Sequence, residues 1–286
     1  MGEPIAERLR AAGYPLAVSN RTMARAAALV DAGATLLAGP ADALDEADVC
    51  VTMLADDGAL VAVVCGPQGI LTGARRGTTL IDMSTVSVGA SKRVAGEAAA
   101  AGVRYLRAPV SGNPSVVRAG ASTVIVSGPE GAFLDLAELL RSIGPNVFYV
   151  GDGERARVVK LALQVLIAGT AELLAEALVL IEAAEIDRAT FLEVTAASAA
   201  GSPFVKYKIE PLLRDDYSAT FTTEMMLKDI ELILDQASSS ATVLPVTREL
   251  RRLPAETAAT YGDLDFMALF LQLRNVTNSP RGRFLK

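Results

Sequence analysis

The sequence predicts two domains, an α/β domain followed by an all-α domain, with a long helix joining them. Two patterns in the 286-residue chain carry this prediction. In the first half, short apolar and β-branched segments alternate with helical segments, which is typical of a parallel sheet covered by helices on both faces. Near residue 152 the strand-like segments stop, and helical segments punctuated by proline continue to the end. We therefore expect domains over residues 1–152 and 153–286.

The elements of the first domain are expected to alternate regularly. A helix over roughly residues 3–12 precedes the strand "YPLAVS", the helix "RTMARAAALVDAG", the strand "TLLA" and the short helix "ADALDEA". The strand "DVCVTML", the helix "DDGALVAVVCG", the strand "TTLIDMS", the helix "GASKRVAGEAAAAG" and the strand "VRYLRAPV" follow. "STVIVSG" and "NVFYVG", on either side of a helix over 131–142, extend the sheet. The strand ends should then recur on one edge of a single parallel sheet.

Residues 154–185 predict the long joining helix. This segment contains no proline and one glycine, and apolar residues surround its axis instead of lining one stripe. At about 1.5 Å per residue such a helix would be roughly 45 Å long. A helix that is apolar all round is buried or sandwiched between partners.

Composition argues against several classes of function. The formal net charge is −6, whereas nonspecific nucleic-acid binding needs a basic face. We identify no leader segment and no uninterrupted apolar run long enough to span a bilayer, so membrane binding is not expected. Two cysteines, Cys50 and Cys65, cannot form a disulfide framework, and a reduced, cytoplasmic setting is expected.

The chain contains no histidine. This excludes Ser-His-Asp and Cys-His catalysis and every His-ligated metal site, and we expect no metal. If the protein is an enzyme, its proton-transfer group must be Lys, Asp, Glu, Tyr or Cys.

Lys160 is the first candidate for that group. It is the only charged residue between Arg157 and Glu172 in an apolar helix. Burial disfavours the ammonium form and lowers the pKa of a lysine, which suits it to proton transfer near neutral pH. Gln164 lies one turn further on and shares the helix face. The alternative is a lysine whose stem covers apolar surface while its amine reaches water.

"APVSGNPSVVRAG" follows a strand and places Ser111, Gly112 and Asn113 where ligands bind in open α/β sheets. A hydroxyl beside unpaired backbone N–H groups can hold a carboxylate. An ordinary turn is the alternative interpretation of this segment.

"VSNRT" places Asn20, Arg21 and Thr22 at the end of the first strand. In a dinucleotide-binding fold the corresponding strand tip meets the adenosine ribose, where an acid suits the 2′-hydroxyl and an arginine suits a 2′-phosphate. The segment therefore favours NADP. The alternative interpretation of this segment is a threonine helix cap beside a solvated arginine.

Three further segments are informative only in combination. "TMLAD" and "DMSTVS" place Leu54, Ala55 and Thr85 at strand tips. "EMMLKD" places Lys228 and Asp229 on an amphipathic helix, where an ordinary surface ion pair is the simpler interpretation.

Taken together, these motifs resemble the β-hydroxyacid dehydrogenase family, which includes 3-hydroxyisobutyrate dehydrogenases and NADPH-dependent glyoxylate/succinic semialdehyde reductases. The matches are "MGEPIAERL", "NRT", "TML.D", "IDMSTVS", "APVSG", "AG..T..VSG", "KL", "AEAL" and "LKD", in the family's order from residue 1 to about 265. The resemblance implies a Rossmann-type domain that binds NADP or NAD, a helical C-terminal domain, a small carboxylate substrate, and homodimers or homotetramers built on the helices.

The resemblance also implies a role for each matched residue. Lys160 takes the position of the catalytic lysine, and Ser111 with Gly112 takes that of the carboxylate-binding pair. Thr85 falls on the nicotinamide side, and the family's cofactor-contacting Leu-Pro pair falls on Leu54 and Ala55. The family's Lys-Asp pair falls on Lys228 and Asp229, which makes Lys228 a further cofactor-binding position.

Three positions depart from the family's pattern. Gln164 stands where the family has Asn, so the substrate group it orients must sit differently. Asn113 replaces a glycine and adds bulk and donors to the substrate pocket. Met1 and Gly2 align with the end of a G-x-G-x-M-G loop, which makes Gly2 a cofactor-binding position. From that alignment we expect the natural protein to begin upstream, with a strand and a G-x-G loop.

The leading functional hypothesis is hydride transfer between NADP(H) and a short-chain carboxylate bearing an aldehyde, keto or hydroxyl group, with Lys160 as proton donor or acceptor. Imine reduction is one alternative, although imine reductases usually carry Asp or Tyr at the proton-donor position. A dimeric binding protein with impaired catalysis is the other, because a missing phosphate loop would weaken pyrophosphate binding.

Overall fold

The computed structural model describes residues 1–45 and 47–278. The chain divides into two compact units, Met1–Lys160 and Leu161–Lys286. The first unit is α/β and the second is helical throughout its described part, which confirms the predicted fold class.

The first unit alternates strands and helices in the predicted order. Its strands are β1 (Ala17–Val18), β2 (Thr35–Leu36), β3 (Val49–Thr52), β4 (Thr79–Asp82), β5 (Arg104–Arg107), β6 (Val110–Ser111), β7 (Thr123–Val126) and β8 (Asn146–Tyr149). Its helices are α1 (Gly2–Ala11), α2 (Ala27–Asp31), α3 (Asp57–Cys65), α4 (Val88–Ala101), α5 (Pro114–Arg118) and α6 (Glu130–Ile143).

The long helix α7 (Arg155–Ala183) has 29 residues and was predicted over 154–185. The second unit adds α8 (Arg188–Ala197), α9 (Pro203–Leu213), α10 (Thr223–Ser239), α11 (Pro245–Leu250), α12 (Arg252–Tyr261) and α13 (Ala268–Asn278).

The expectation of one wholly parallel sheet is wrong in detail. Within the described residues the strands form three hydrogen-bonded groups, β1–β2, β3–β4–β5 and β6–β7–β8. Every pair is parallel except β6–β7, which is antiparallel. The segment predicted as one strand, "VRYLRAPV", is broken into β5 and β6 at Pro109, because proline has no N–H to donate to a neighbouring strand.

Two segments predicted as helices are tighter than α-helices. Residues Met23–Ala26 and Pro40–Leu44 form 3-10 turns, and only the five residues of α2 follow the first of them as regular helix. Between 23 and 31 only Ala26 and Leu29 are buried. Short helices gain most of their stability from packing. A segment with only two buried side chains therefore has too little packing to stabilise a longer helix.

The strand group β3–β4–β5 is covered by apolar side chains on both faces at β4. Within β4, Leu80 packs in a cluster with Leu60 and Val94, whereas the next residue, Ile81, packs in a separate cluster with Leu106. Successive residues of a strand point to opposite faces, so both must be apolar when helices cover both sides. This explains the continuous apolar strands seen in the sequence.

The core of the second unit is built around α7. Its buried residues there are Ala168, Ala171, Leu174, Ala175 and Leu178, and they pack with residues of α9, α10, α12 and α13. By length and composition alone, α7 is the one helix of the described residues that could cross a membrane. The core helix of a globular protein passes the same test, and α7 occupies such a position.

Candidate active site

Two strand ends predicted to contact a cofactor lie side by side. β3 and β4 are adjacent and parallel, with Thr52 opposite Asp82, so the loops that follow them reach the same edge of the sheet. The backbone N–H of Leu54 donates to Ser84 Oγ at 2.9 Å, which ties one loop to the other. The next residue, Thr85, is half-buried at this edge.

A buried ion pair between Asp82 and Arg157 joins this edge of the sheet to the first turn of α7. The two side chains are 0% and 1% exposed. Arg157 Nη1 donates to the backbone oxygen of Ser84 at 2.6 Å, Nη2 donates to Tyr105 Oη at 3.1 Å, and Nε donates to Ser91 Oγ at 3.3 Å. The guanidinium therefore contacts β4, β5 and α4 at once.

Both oxygens of the Asp82 carboxylate also accept hydrogen bonds from several side chains. It accepts hydrogen bonds from Thr52 Oγ1 at 2.7 Å, from Ser84 Oγ at 2.6 Å and from Tyr105 Oη at 3.3 Å. In the described part of the chain, four buried side-chain atoms lack a hydrogen-bond partner, and none belongs to this network.

Tyr105, Cys50 and Arg157, which lie in or beside this network, have shifted pKa values. Burial raises the pKa of the Tyr105 hydroxyl to about 12, with Arg157 opposing the shift and Asp82 adding to it. Burial, aided by Asp82, likewise raises the pKa of Cys50 to about 12. Burial lowers the pKa of Arg157, but Asp82 and Tyr105 outweigh it and raise the pKa overall. Neither Tyr105 nor Cys50 therefore suits proton transfer near neutral pH.

Lys160 lies one turn after Arg157 and is 8% exposed. The start of its helix is held by Ser127, whose hydroxyl donates to the backbone oxygen of Gly153 at 2.7 Å and accepts from the N–H of Ala156 at 3.1 Å. Lys160 is thus one of the buried charged residues of the described chain, and its role in proton transfer stays a prediction.

The loop predicted to bind a carboxylate has a backbone that requires glycine at its centre. Gly112 adopts φ +136°, and a Cβ added there would lie 2.9 Å from Val116 Cγ1. Asn113 caps α5, because its Oδ1 accepts from the Val116 N–H at 2.9 Å and from Ser115 Oγ at 2.7 Å. Ser111 is half-buried at the end of β6. Asn113 thus has a structural role in addition to the predicted one.

The segment predicted to select the cofactor follows β1. Thr22 precedes the 3-10 turn without capping it through its side chain, so the threonine-cap alternative is not realised. Instead, Asn20 Oδ1 accepts from the Thr22 N–H at 2.9 Å. Arg21 is exposed and makes no ion pair within residues 1–45 and 47–278.

In the second unit, three predicted residues meet through Asp229. Gln164 Nε2 donates to Asp229 Oδ2 at 2.6 Å, and Lys228 Nζ lies 2.9 Å from Asp229 Oδ1. Asp229 is 1% exposed, Gln164 is 7% exposed and Lys228 is half-buried. The longer side chain of Gln164 therefore donates to an acidic residue of α10.

The remaining predicted cofactor residues are exposed. Gly2 is the first residue of α1, and Ala55 follows Leu54 in the loop after β3. No cluster of acidic and cysteine side chains that could hold a metal ion occurs in the described ranges.

Sequence reasoning missed Asp82 and Arg157. One signal for them was present, since Asp82 is a charged residue at the end of the apolar strand "TLIDMS" and Arg157 is the last charge before Lys160. Their pairing across 75 residues could be recognised only in the folded chain.

Both halves of the chain match known protein-family models. Residues 1–151 match the NAD binding domain of 6-phosphogluconate dehydrogenase. Residues 154–273 match a model described as NAD-binding of NADP-dependent 3-hydroxyisobutyrate dehydrogenase.

Individual proteins agree with these models. The chain is 34% identical over 280 residues to the uncharacterized oxidoreductase YfjR of Bacillus subtilis, covering 94% of this chain and 95% of that one. It is 31% identical over 290 residues to mitochondrial 3-hydroxyisobutyrate dehydrogenase of Rattus norvegicus, covering 96% and 84%. Its fold matches the crystal structure of 3-hydroxyisobutyrate dehydrogenase from Salmonella typhimurium with a TM-score of 0.87, at 24% identity and 95% coverage of both chains.

Proposed function

Because this chain belongs to the β-hydroxyacid dehydrogenase family, we propose that Lys160 exchanges the proton in a hydride transfer between NADP(H) and a short-chain carboxylate. The chain is an NAD(P)-dependent oxidoreductase that acts on CH–OH groups. The observation that carries the proposal is the burial of Lys160, one turn after an arginine anchored to the loop before Thr85. Lysine is one of the side chains that can exchange a proton with a reacting oxygen in a transition state.

The proposal assigns tasks to six of the predicted residues. The nicotinamide supplies the hydride chemistry, with Thr85 assigned to its side of the cofactor, and Leu54 and Lys228 are assigned to cofactor binding. Lys160 gives a proton to the nascent alkoxide in reduction, or takes one from the alcohol in oxidation. Ser111 Oγ and the Gly112 N–H hold the carboxylate. The left-handed backbone at Gly112 supports this task, because a side chain there would clash with α5.

An assay of NADPH oxidation tests the proposal directly. The purified chain should oxidise NADPH with succinic semialdehyde or glyoxylate and should reduce NADP with 3-hydroxyisobutyrate. A cyclic imine provides the comparison substrate. Turnover of the imine alone, or no turnover with saturable NADPH binding intact, would contradict the proposed substrate class. No saturable fluorescence change with NADPH would contradict cofactor binding itself.

The proposed preference for NADP rests on Arg21. Its guanidinium is exposed at the end of β1, beside Asn20 and Thr22, and has no carboxylate partner in the described residues. Such an arginine can form a charge-assisted, bidentate contact with a 2′-phosphate. Hydrogen bonds to charged groups contribute roughly 1.5–3 kcal/mol, so Arg21→Ala should raise the KM for NADPH by about 10- to 100-fold and leave that for NADH unchanged. Arg10, exposed at the end of α1, provides the matched Arg10→Ala control. An unchanged ratio of the two KM values in Arg21→Ala would overturn the assignment.

The proposed assembly is a homodimer or homotetramer built on the helical domain. On α7, Leu166, Leu173 and Leu180 are 65%, 65% and 72% exposed. Residues seven apart lie on one face of a helix, so these leucines form an apolar stripe. A second copy of the chain is the occupant that this stripe fits, because the same stripe on the partner is apolar and self-complementary under two-fold symmetry.

The two free cysteines support the proposal of a reduced, cytoplasmic setting.

A further inference from the structure

The Arg157 guanidinium connects the first turn of α7 to the end of β4 and to the loop that follows it. It ties the first turn of α7 to the Asp82 carboxylate and to the backbone oxygen of Ser84. Ser84 in turn holds the N–H of Leu54 through its hydroxyl. A single guanidinium is therefore connected, through one residue, to both loops that the proposed function assigns to the cofactor.

The energetics of this cluster argue for a role beyond stability. Removing two charges from water is costly, and well-packed apolar replacements of buried ion pairs are often as stable. Hydrogen bonds from Thr52 and Tyr105 satisfy the remaining capacity of Asp82, so the arrangement is rigid and fully paired. Fully satisfied buried networks hold their members in one geometry.

The position of Arg157 in α7 indicates which two groups it holds in place, Lys160 and the loop that follows β4. Residues three apart on a helix are neighbours on its surface, so the anchor lies one turn ahead of Lys160. Ser84, the residue whose carbonyl receives the guanidinium N–H, immediately precedes Thr85. The same side chain thus sets the location of the proposed proton donor and of the proposed nicotinamide-side loop.

We propose that Arg157, paired with Asp82, is a positioning residue that holds Lys160 at a set distance from the loop at Ser84–Thr85, so that proton and hydride reach the same substrate carbon–oxygen bond. This inference rests on the proposed function, because it needs Lys160 as the proton donor. Arg157 acts through Lys160 and makes no contact with substrate in the mechanism. Small misplacements of reacting groups cost about 100-fold in rate, which sets the size of the effect to expect.

The primary test is Arg157→Lys, which keeps the charge and loses the planar set of donors. We expect kcat to fall by about 10- to 100-fold while the KM for NADPH changes little. Arg188→Lys is the matched control: Arg188 anchors the far end of α7 through Glu182 and the backbone oxygen of Leu212. The control should lose thermal stability without losing kcat. Equal kcat in wild type and Arg157→Lys would overturn the proposal.

A double-variant cycle separates positioning from a general loss of structure. If Arg157 acts through Lys160, Arg157→Lys should have no further effect on the residual kcat of Lys160→Ala. Multiplicative effects of the two substitutions would contradict the proposal. Tyr105→Phe, which removes only one hydroxyl from the network, is the milder variant should Arg157→Lys fail to fold. It should lower kcat about two- to tenfold, and an unchanged kcat would count against the proposal.

Hydrogen exchange supplies a readout that does not depend on turnover. Arg157→Lys should speed amide exchange in peptides covering both 82–88 and 155–163, because one side chain connects them, whereas Arg188→Lys should leave 82–88 unchanged. Exchange that rises in 155–163 alone would refute the link to the loop. If the wild type turned over no substrate but showed this exchange pattern, the proposed function would be wrong. The connection that Arg157 makes between 82–88 and 155–163 would still be supported.

Discussion

At the scale of single residues, burial distinguishes the candidate proton donors. Tyr105 and Cys50 lie beside Asp82, and burial raises the pKa of both to about 12. Those groups hold their protons across the physiological range and cannot exchange them readily. Lys160 is also buried, and it is the residue to which the proposed function assigns the proton transfer.

Replacement of Lys160 tests this assignment. Lys160→Ala should lower kcat by about 10²- to 10⁴-fold, because general acid–base groups contribute that much, and should leave the Kd for NADPH nearly unchanged. Steady-state kinetics and fluorescence titration measure the two quantities. Lys92→Ala, an exposed lysine of α4, is the control. Retention of most of kcat by Lys160→Ala would rule out the lysine as proton donor.

Glu172 predicts a pH dependence of stability. It is 6% exposed in α7, and its Oε1 lacks a hydrogen-bond partner among the described residues. Burial, with Glu176 adding and Arg252 opposing, raises its pKa to about 8. Between its unfolded pKa and about pH 8, the folded state then holds a proton that the unfolded state has released, so stability falls as pH rises through this range.

Glu172→Gln should therefore remove that pH dependence. The variant cannot ionise, so we expect it to be more stable than wild type by a few kcal/mol above pH 8 and similar near pH 4. Urea unfolding at a series of pH values measures the difference, with exposed Glu193 of α8 as the Glu193→Gln control. A wild-type stability that does not decline between pH 5 and about pH 8 relative to Glu172→Gln would show that Glu172 is ionised in the folded protein.

At the scale of elements, short loops and helix starts determine where the site residues lie. α5 has five residues and is too short to be stable alone. Its Asn113 cap and the left-handed turn at Gly112 hold it against the end of β6. The same turn presents Ser111, so the stability of α5 and the geometry of the carboxylate loop are linked.

Two substitutions at Asn113 separate its capping role from its proposed role in binding. Asn113→Ala removes the cap and should lower the free energy of unfolding by about 1 kcal/mol. Asn113→Asp keeps a capping oxygen but places a negative charge beside the loop, so it should preserve stability while raising the KM of a carboxylate substrate. Denaturant unfolding and steady-state kinetics measure both. An unchanged KM in Asn113→Asp would remove Asn113 from the substrate site and leave only the cap.

At the scale of the whole molecule, α7 belongs to both units and combines three functions. Its first two turns carry Arg157 and Lys160, its middle fills the helical core, and its exposed face carries the leucine stripe. An apolar helix of 29 residues is compatible with all three only if each face meets a different environment.

The stripe predicts the effect of a charge on assembly. Leu173→Glu should dissociate the proposed oligomer, because an ionised carboxylate in an apolar interface is costly to desolvate. Leu134 of α6 is also 65% exposed, so Leu134→Glu is a matched control that should leave the assembly intact. Light scattering at several protein concentrations measures the mass. If both variants have the mass of the wild type, the stripe is not the interface.

Much of the site was predictable because it depends on local order in the chain. The strand tips follow apolar β-branched runs, and Lys160 is conspicuous as a lone charge in an apolar helix. The alternative of a threonine cap at Thr22 is not realised, because the Arg25 N–H donates to the backbone oxygen of Thr22 at 2.9 Å and not to its hydroxyl. Such choices between neighbouring polar groups depend on backbone angles that residue type does not determine.

By itself, the sequence determined the α/β-then-α order, the long helix and the candidate residues, since periodicity and turn residues act over a few positions. Only the tertiary structure decided that Asp82 and Arg157 form one buried cluster, that Gln164 donates to Asp229, and that β6 runs antiparallel to β7. These are contacts between residues far apart in the chain. Their formation depends on how the sheet and helices pack, and no local pattern in the sequence records that packing.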